Sequence, residues 1–130
     1  MSIKPQSYRD GQPTPWEYLE AGAIADCQIG MALTVESGKL VKASGNVKPS
    51  YISMYGKATE EGQQIPVIRA DNETLYMTQF STAAPAVKVG DKVTIDATGT
   101  MATANTVDGV LEVVQIMGNA EGDDVIVRIS

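Results

Sequence analysis

The sequence predicts an all-β fold, mainly strand with little or no helix, in a compact small sandwich or barrel-like domain. Three observations carry this expectation. Apolar residues after Gly30 alternate with period two or fall in short runs bounded by turns. Glycine and proline interrupt the chain too often for long helices. The chain also repeats itself: Ile29-Gly30-Met31-Ala32-Leu33-Thr34-Val35, followed by Gly38-Lys39-Leu40, returns as Val89-Gly90-Asp91-Lys92-Val93-Thr94-Ile95, followed by Gly99-Thr100-Met101. Gly56-Lys57-Ala58 leading to Ile65-Pro66-Val67-Ile68-Arg69 returns as Gly118-Asn119-Ala120 leading to Val125-Ile126-Val127-Arg128. Solenoid arrays need three or more copies, so two copies (about 29–70 and 89–129) predict two related β motifs packed as one domain over 26–130.

Residues 1–25 differ in kind. Pro5, Pro13 and Pro15 fix φ and remove three backbone donors, so an extended N-terminal arm is expected here. A disordered arm should lack aromatics, yet this one carries Tyr8, Tyr18 and Trp16, the only tryptophan. Those rings need a surface. The arm either wraps back on its own domain or docks on a neighbouring chain, and docking is the expectation, with Ile3, Pro5, Tyr8, Pro13, Pro15, Trp16, Tyr18 and Leu19 as the contact residues.

Each later element follows from its pattern. Met31, Leu33 and Val35 alternate with Ala32 and Thr34, Ser37-Gly38 makes a turn, and Leu40-Val41 begins the return strand of a hairpin. Tyr51 to Ala58 is expected as a strand with Ile52, Met54, Gly56 and Ala58 on one face. Pro66 assigns the strand Ile65–Arg69 to a sheet edge or a strand start. Leu75 to Phe80, Val93 to Ile95, Val110 to Met117 and Val125 to Ile129 complete eight or nine strands, and Pro85 weakens the one helical competitor, Ala83 to Val89.

Composition removes several chemistries. There is no histidine, which excludes Ser-His-Asp and Cys-His nucleophiles and imidazole acid–base catalysis. Ser37-Gly38-Lys39 lacks the remaining residues of a phosphate loop. The carboxylates Glu60-Glu61, Asp71 with Glu73, and Asp123-Asp124 sit at turns and read as solvated groups. No catalytic, cofactor-binding or metal-binding set is expected. The net charge of −6, with scattered basic residues, argues against nucleic acid as a partner. No apolar run approaches the ~20 residues of a membrane helix, and no signal segment opens the chain, so synthesis in the cytoplasm is expected. Cys27, the only cysteine, reads as a small buried apolar residue.

The order of these motifs resembles the head decoration, or capsid cement, proteins of tailed bacteriophages of the lambda type: a proline-rich arm, the Met31–Val41 hairpin, the Gly56-Lys57-Ala58 strand end and the alternating Leu75-Tyr76-Met77-Thr78 strand. The second copy after Val89 looks more like the Val-Gly-Asp-rich cement proteins of other phages. The resemblance implies a β-tulip-type domain without enzymatic activity, usually a homotrimer. It further implies a place on the outer surface of the expanded capsid, where the protein binds the major capsid protein through its arm. Another virion component, such as a head-tail or tail protein, and a displayed carbohydrate-binding β module are the alternatives.

Overall fold

A computed structural model describes residues 2–7 and 14–130. The protein is all-β, with no helix among the described residues. Among the described residues ten strands form two five-stranded sheets. They are β1 (Lys4–Ser7), β2 (Trp16–Ala21), β3 (Ala32–Glu36), β4 (Lys39–Lys42), β5 (Tyr51–Ser53), β6 (Gln63–Arg69), β7 (Leu75–Gln79), β8 (Lys92–Val93), β9 (Leu111–Ile116) and β10 (Asp124–Ile129).

The first copy of the repeat, with β2, makes a closed barrel in the order β2-β4-β3-β5-β6. All its ladders are antiparallel except β2 against β4, which meet in parallel at one position, Ala21 opposite Leu40. The second copy runs β7-β10-β9-β8, with β1 added outside β7. Past β8 the chain continues to Ile95, which bridges Ala102, and Ala102 in turn bridges Phe80 in parallel at the end of β7. The second motif thus closes in the same order as the first.

The correspondence holds at single hydrogen bonds. Gly30 N–H donates to the Ser53 carbonyl and Gly90 N–H to the Val113 carbonyl, both at 2.8 Å. Gly22 N–H reaches the Leu40 carbonyl at 2.9 Å, as Ser81 N–H reaches that of Ala102 at 2.8 Å. Matched glycines take the same left-handed backbone, with φ of 84° at Gly30 and 95° at Gly90, and 83° at Gly62 and 85° at Gly122. Backbone geometry that only glycine adopts cheaply is why these residues, more than the apolar ones, carry the repeat in the sequence.

Inside the barrels the two copies pair their core residues: Leu33 with Val93, Ile65 with Val125, Val67 with Val127, all buried. Cys27 occupies the place that Val87 takes in the second copy, and both are buried. At the closing bridge the sizes are exchanged. Small Ala21 faces large Leu40 in the first barrel; large Phe80 faces small Ala102 in the second. Each arrangement fills the interior with one bulky side chain.

The interior of the second barrel continues into the seam between the two. Ala32, Ala43, Ile52 and Ile68 of the first motif belong to the same cluster as Tyr76, Phe80, Val93, Ile95, Leu111 and Val125 of the second, and Ile3 joins them fully buried. Backbone bonds cross the seam: Gly45 and Ile95 exchange two at 2.7 and 3.0 Å, and Ala32 N–H reaches the Gly99 carbonyl at 2.7 Å.

Three expectations are corrected. The described part of residues 1–25 is not a separate arm: β1 pairs with β7 and β2 is a barrel stave against β6. Pro5 is compatible with this because β1 lies at a sheet edge. Second, β6 is not an edge strand, since it lies between β2 and β5. The Pro66 carbonyl accepts from Met54 N–H at 3.0 Å, so its missing N–H would face the position just beyond β5, where no ladder bond is lost. Third, β5 ends at Ser53 and does not run to Ala58; the Ser53 hydroxyl accepts from Tyr55 N–H and donates to the Tyr55 carbonyl, both at 3.0 Å, which turns the chain.

Two pairs of substitutions test this architecture. A Cβ at Gly30 would stand 2.2 Å from Ser2 Cβ and 2.9 Å from Ile3 N, whereas one at Gly90 would meet nothing within 4 Å. Urea unfolding should therefore show Gly90→Ala losing about 1–2 kcal/mol, the left-handed backbone cost alone, and Gly30→Ala losing clearly more. Phe80→Ala should cost about 3–5 kcal/mol. Adding Ala102→Leu should recover part of that loss, because Ala opposite Leu is the pair that closes the first barrel.

Candidate functional site

The site of interest lies where the first barrel is closed by a single bridge. Beyond Ala21 and Leu40, β2 and the β3–β4 hairpin diverge and leave a cleft of about 370 Å³. Tyr18, Leu19 and Glu20 of β2 form one wall, Val35, Gly38 and Leu40 of the hairpin the other, with Tyr51 and Gln64 completing the lining. Its volume falls in the range of small-ligand and peptide-side-chain pockets.

Alternation along β2 sorts its side chains. Glu17, Leu19 and Ala21 turn inward or sideways, and Leu19 packs with Tyr51 against the barrel core. Trp16 and Tyr18 turn outward and are 57% and 62% exposed. Val35, at the hairpin, is also exposed. Two large rings held on a paired strand, beside a cleft of mixed polar and apolar lining, form a surface that a partner would desolvate at low conformational cost.

Charges frame this surface. Arg69 pairs with Glu17 at 3.2 Å and lies over the Tyr51 ring at 5.4 Å from its centre. The Glu17 hydrogen bond, then the charges of Tyr51 and Glu17, hold the guanidinium even more firmly protonated. Lys39 bonds Glu61 at 2.6 Å, which raises the ammonium pKa and lowers that of the carboxyl. Both partners are solvated, so the pair orients the hairpin more than it stabilises the fold.

The residues expected to form the contact surface divide sharply. Trp16 and Tyr18 are on the surface, and Pro15 leads into the strand that carries them. Ile3 is fully buried, its N–H bonded to the Gly30 carbonyl at 2.9 Å, and is a core residue. Pro5 faces Tyr76 across the β1–β7 pair, and Leu19 lies half inside the barrel. Tyr8 and Pro13 lie outside the described residues. Sequence reasoning missed Val35, Leu40, Tyr51 and Gln64, which reach the cleft from four other strands; only knowledge of the β2–β4 bridge could have joined them.

Among the described residues no three His, Cys, Asp or Glu side chains gather as a metal-ligating group. Cys27 sits away from the cleft, its sulfur 3.5 Å from Ser53 Oγ and 3.6 Å from the Tyr55 carbonyl. Burial pushes its thiol pKa up. Comparison with known protein families, with curated proteins and with solved structures finds no match to this chain.

The thiol leads to a direct test. Thiolate is the reacting species, so an aromatic disulfide reagent at neutral pH should label native Cys27 far more slowly than the urea-unfolded chain. The native rate should rise only at a more alkaline pH than for an exposed cysteine. Equal rates in both states would show that the sulfur is neither buried nor held protonated.

Proposed function

We propose that this protein is a capsid decoration protein: a non-enzymatic β domain that binds the outer surface of an expanded phage capsid and stabilises it. The observation that carries the proposal is the outward pair Trp16 and Tyr18, exposed on a paired strand beside a cleft of mixed polar and apolar lining. The order of sequence motifs supports the same reading. A partner that binds only the expanded lattice stabilises that lattice by mass action, and no chemical step is needed. The attachment surface in this proposal is the β2 face, with the major capsid protein as partner, and assembly as a homotrimer would multiply weak contacts through avidity.

The fold changes how this must be tested. Deleting residues 1–21 would remove β2 and open the first barrel, so loss of binding by a truncated chain would report unfolding. Point substitutions at exposed rings avoid this. Trp16→Ala should leave the unfolding midpoint nearly unchanged, because the ring is largely solvated. In co-sedimentation with undecorated expanded heads it should weaken binding by on the order of 2 kcal/mol, the size expected of a central aromatic anchor. Undiminished binding by a folded Trp16→Ala, Tyr18→Ala double variant would remove this face from the attachment.

A further inference from the structure

The duplicated fold permits a comparison that a single barrel does not. β7 is the second copy of β2: Tyr18 and Met77 are equivalent, as are Trp16 and Leu75, because Leu19 faces Ile65 as Thr78 faces Val125. On the edge of β7 away from β10, the end at Phe80 bridges Ala102, and the stretch Leu75 to Met77 is covered by β1. On the matching edge of β2, the end at Ala21 bridges Leu40, and the stretch Trp16 to Tyr18 has no backbone partner among the described residues.

The orientation of the backbone groups follows from Pro66. Its carbonyl turns toward β5 to meet Met54 N–H, so Ile65 and Val67 turn theirs toward β2. Their partners Leu19 and Glu17 therefore face β6, and Trp16 and Tyr18 direct N–H and C=O to the open edge. Beside that edge lies the cleft between Tyr18, Val35 and Leu40. The equivalent outward residues Leu75 and Met77 are half-buried, whereas Trp16 and Tyr18 are exposed.

We infer that the free edge of β2 is an acceptor for an extended segment of a partner protein, which adds antiparallel to β2 in the register that β1 takes on β7. The segment has the alternation of β1: apolar residues toward the cleft, as Ile3 points into the core, and polar ones outward, as Lys4 does opposite Met77. A basic residue opposite Tyr18 suits the carboxylate of Glu20 on the same face. The β1 of a second copy is not the occupant, since that strand is already seated on its own β7 with Ile3 in the core. The edge stands on the duplicated geometry; only the identification of the partner as a capsid subunit rests on the proposed function.

The test uses the full chain, labelled for NMR, and a synthetic peptide with the sequence of residues 2–7, the segment known to fit the equivalent edge. Millimolar peptide should slow hydrogen exchange at the Trp16 and Tyr18 amides and shift the Val35 and Leu40 methyl signals. Tyr18→Pro removes an edge donor while leaving the β6 ladder intact, because that N–H faces away from β6. It should lower peptide affinity about tenfold or more, whereas Tyr18→Val keeps the donor and retains the amide protection. Unchanged affinity in a folded Tyr18→Pro, or amides already protected in the free protein, would overturn the inference. So would shifts at Tyr51 and Gln64 without amide protection, which would mean a small-molecule cleft. If Tyr18→Pro fails to fold, exchange in the wild type and in Tyr18→Val decides alone. Loss of capsid binding with strand capture intact would remove the decoration reading and leave this one standing.

Discussion

The apolar seam between the two barrels is the constraint on which the rest depends. Ala32, Ala43, Ile52 and Ile68 lie on the outside of the first barrel, where an isolated motif would expose them to water. The second motif presents the same kind of surface, and each hides the other's. The small residues Ala32 and Ala43 let the backbones approach closely enough for Gly45 and Ile95 to exchange two hydrogen bonds across the seam. Ile3 is part of this seam, which ties the N-terminal strand to the centre of the molecule. The halves are thus two closed rings but one cooperative body.

Much of this was legible in the residues, and the reasons differ by element. The duplication was readable because left-handed positions tolerate little but glycine, so Gly30 with Gly90 and Gly62 with Gly122 kept the frame while apolar identities drifted. The strand character of Ala32 to Glu36 followed from period two. The N-terminal segment was misread because β2 inverts the usual pattern, placing Trp16 and Tyr18 outside and Glu17 on the inward side. Alternation shows that a strand has two faces without showing which one is inside. Pro66 misled for a related reason. A proline argues against a central strand only if its missing N–H faces a ladder, and here it faces the end of β5. The cleft was invisible because the chain positions that line it are joined by a single parallel bridge.

The exchange of sizes at that bridge bears on how the copies diverged. With Ala21 and Leu40 in one and Phe80 and Ala102 in the other, the halves are no longer interchangeable even though their backbones close in the same order. The large ring at Phe80 sits on the strand that also carries β1, so the second barrel is filled from the stave that is covered on its outer edge. The first barrel is filled from the hairpin, and its equivalent stave bears aromatics that face water. The two motifs thus differ inside, in which side of the bridge holds the bulk, and outside, where β7 is covered by β1 and the outward rings of β2 are exposed.

The position of β1 also sets an order of events during synthesis. Every stave of the first barrel has been made once Arg69 leaves the ribosome, whereas β7, the seat of β1, comes afterwards, and the motif containing β7 is complete only at the last residues. For that interval Ile3 and its strand have no seat, although they lie a few residues along the chain from the edge of β2, the counterpart of the one they finally occupy. The docking of β1 therefore comes late in synthesis, after every stave of the first barrel has been made, and the first residues of the chain are among the last to be fixed in place.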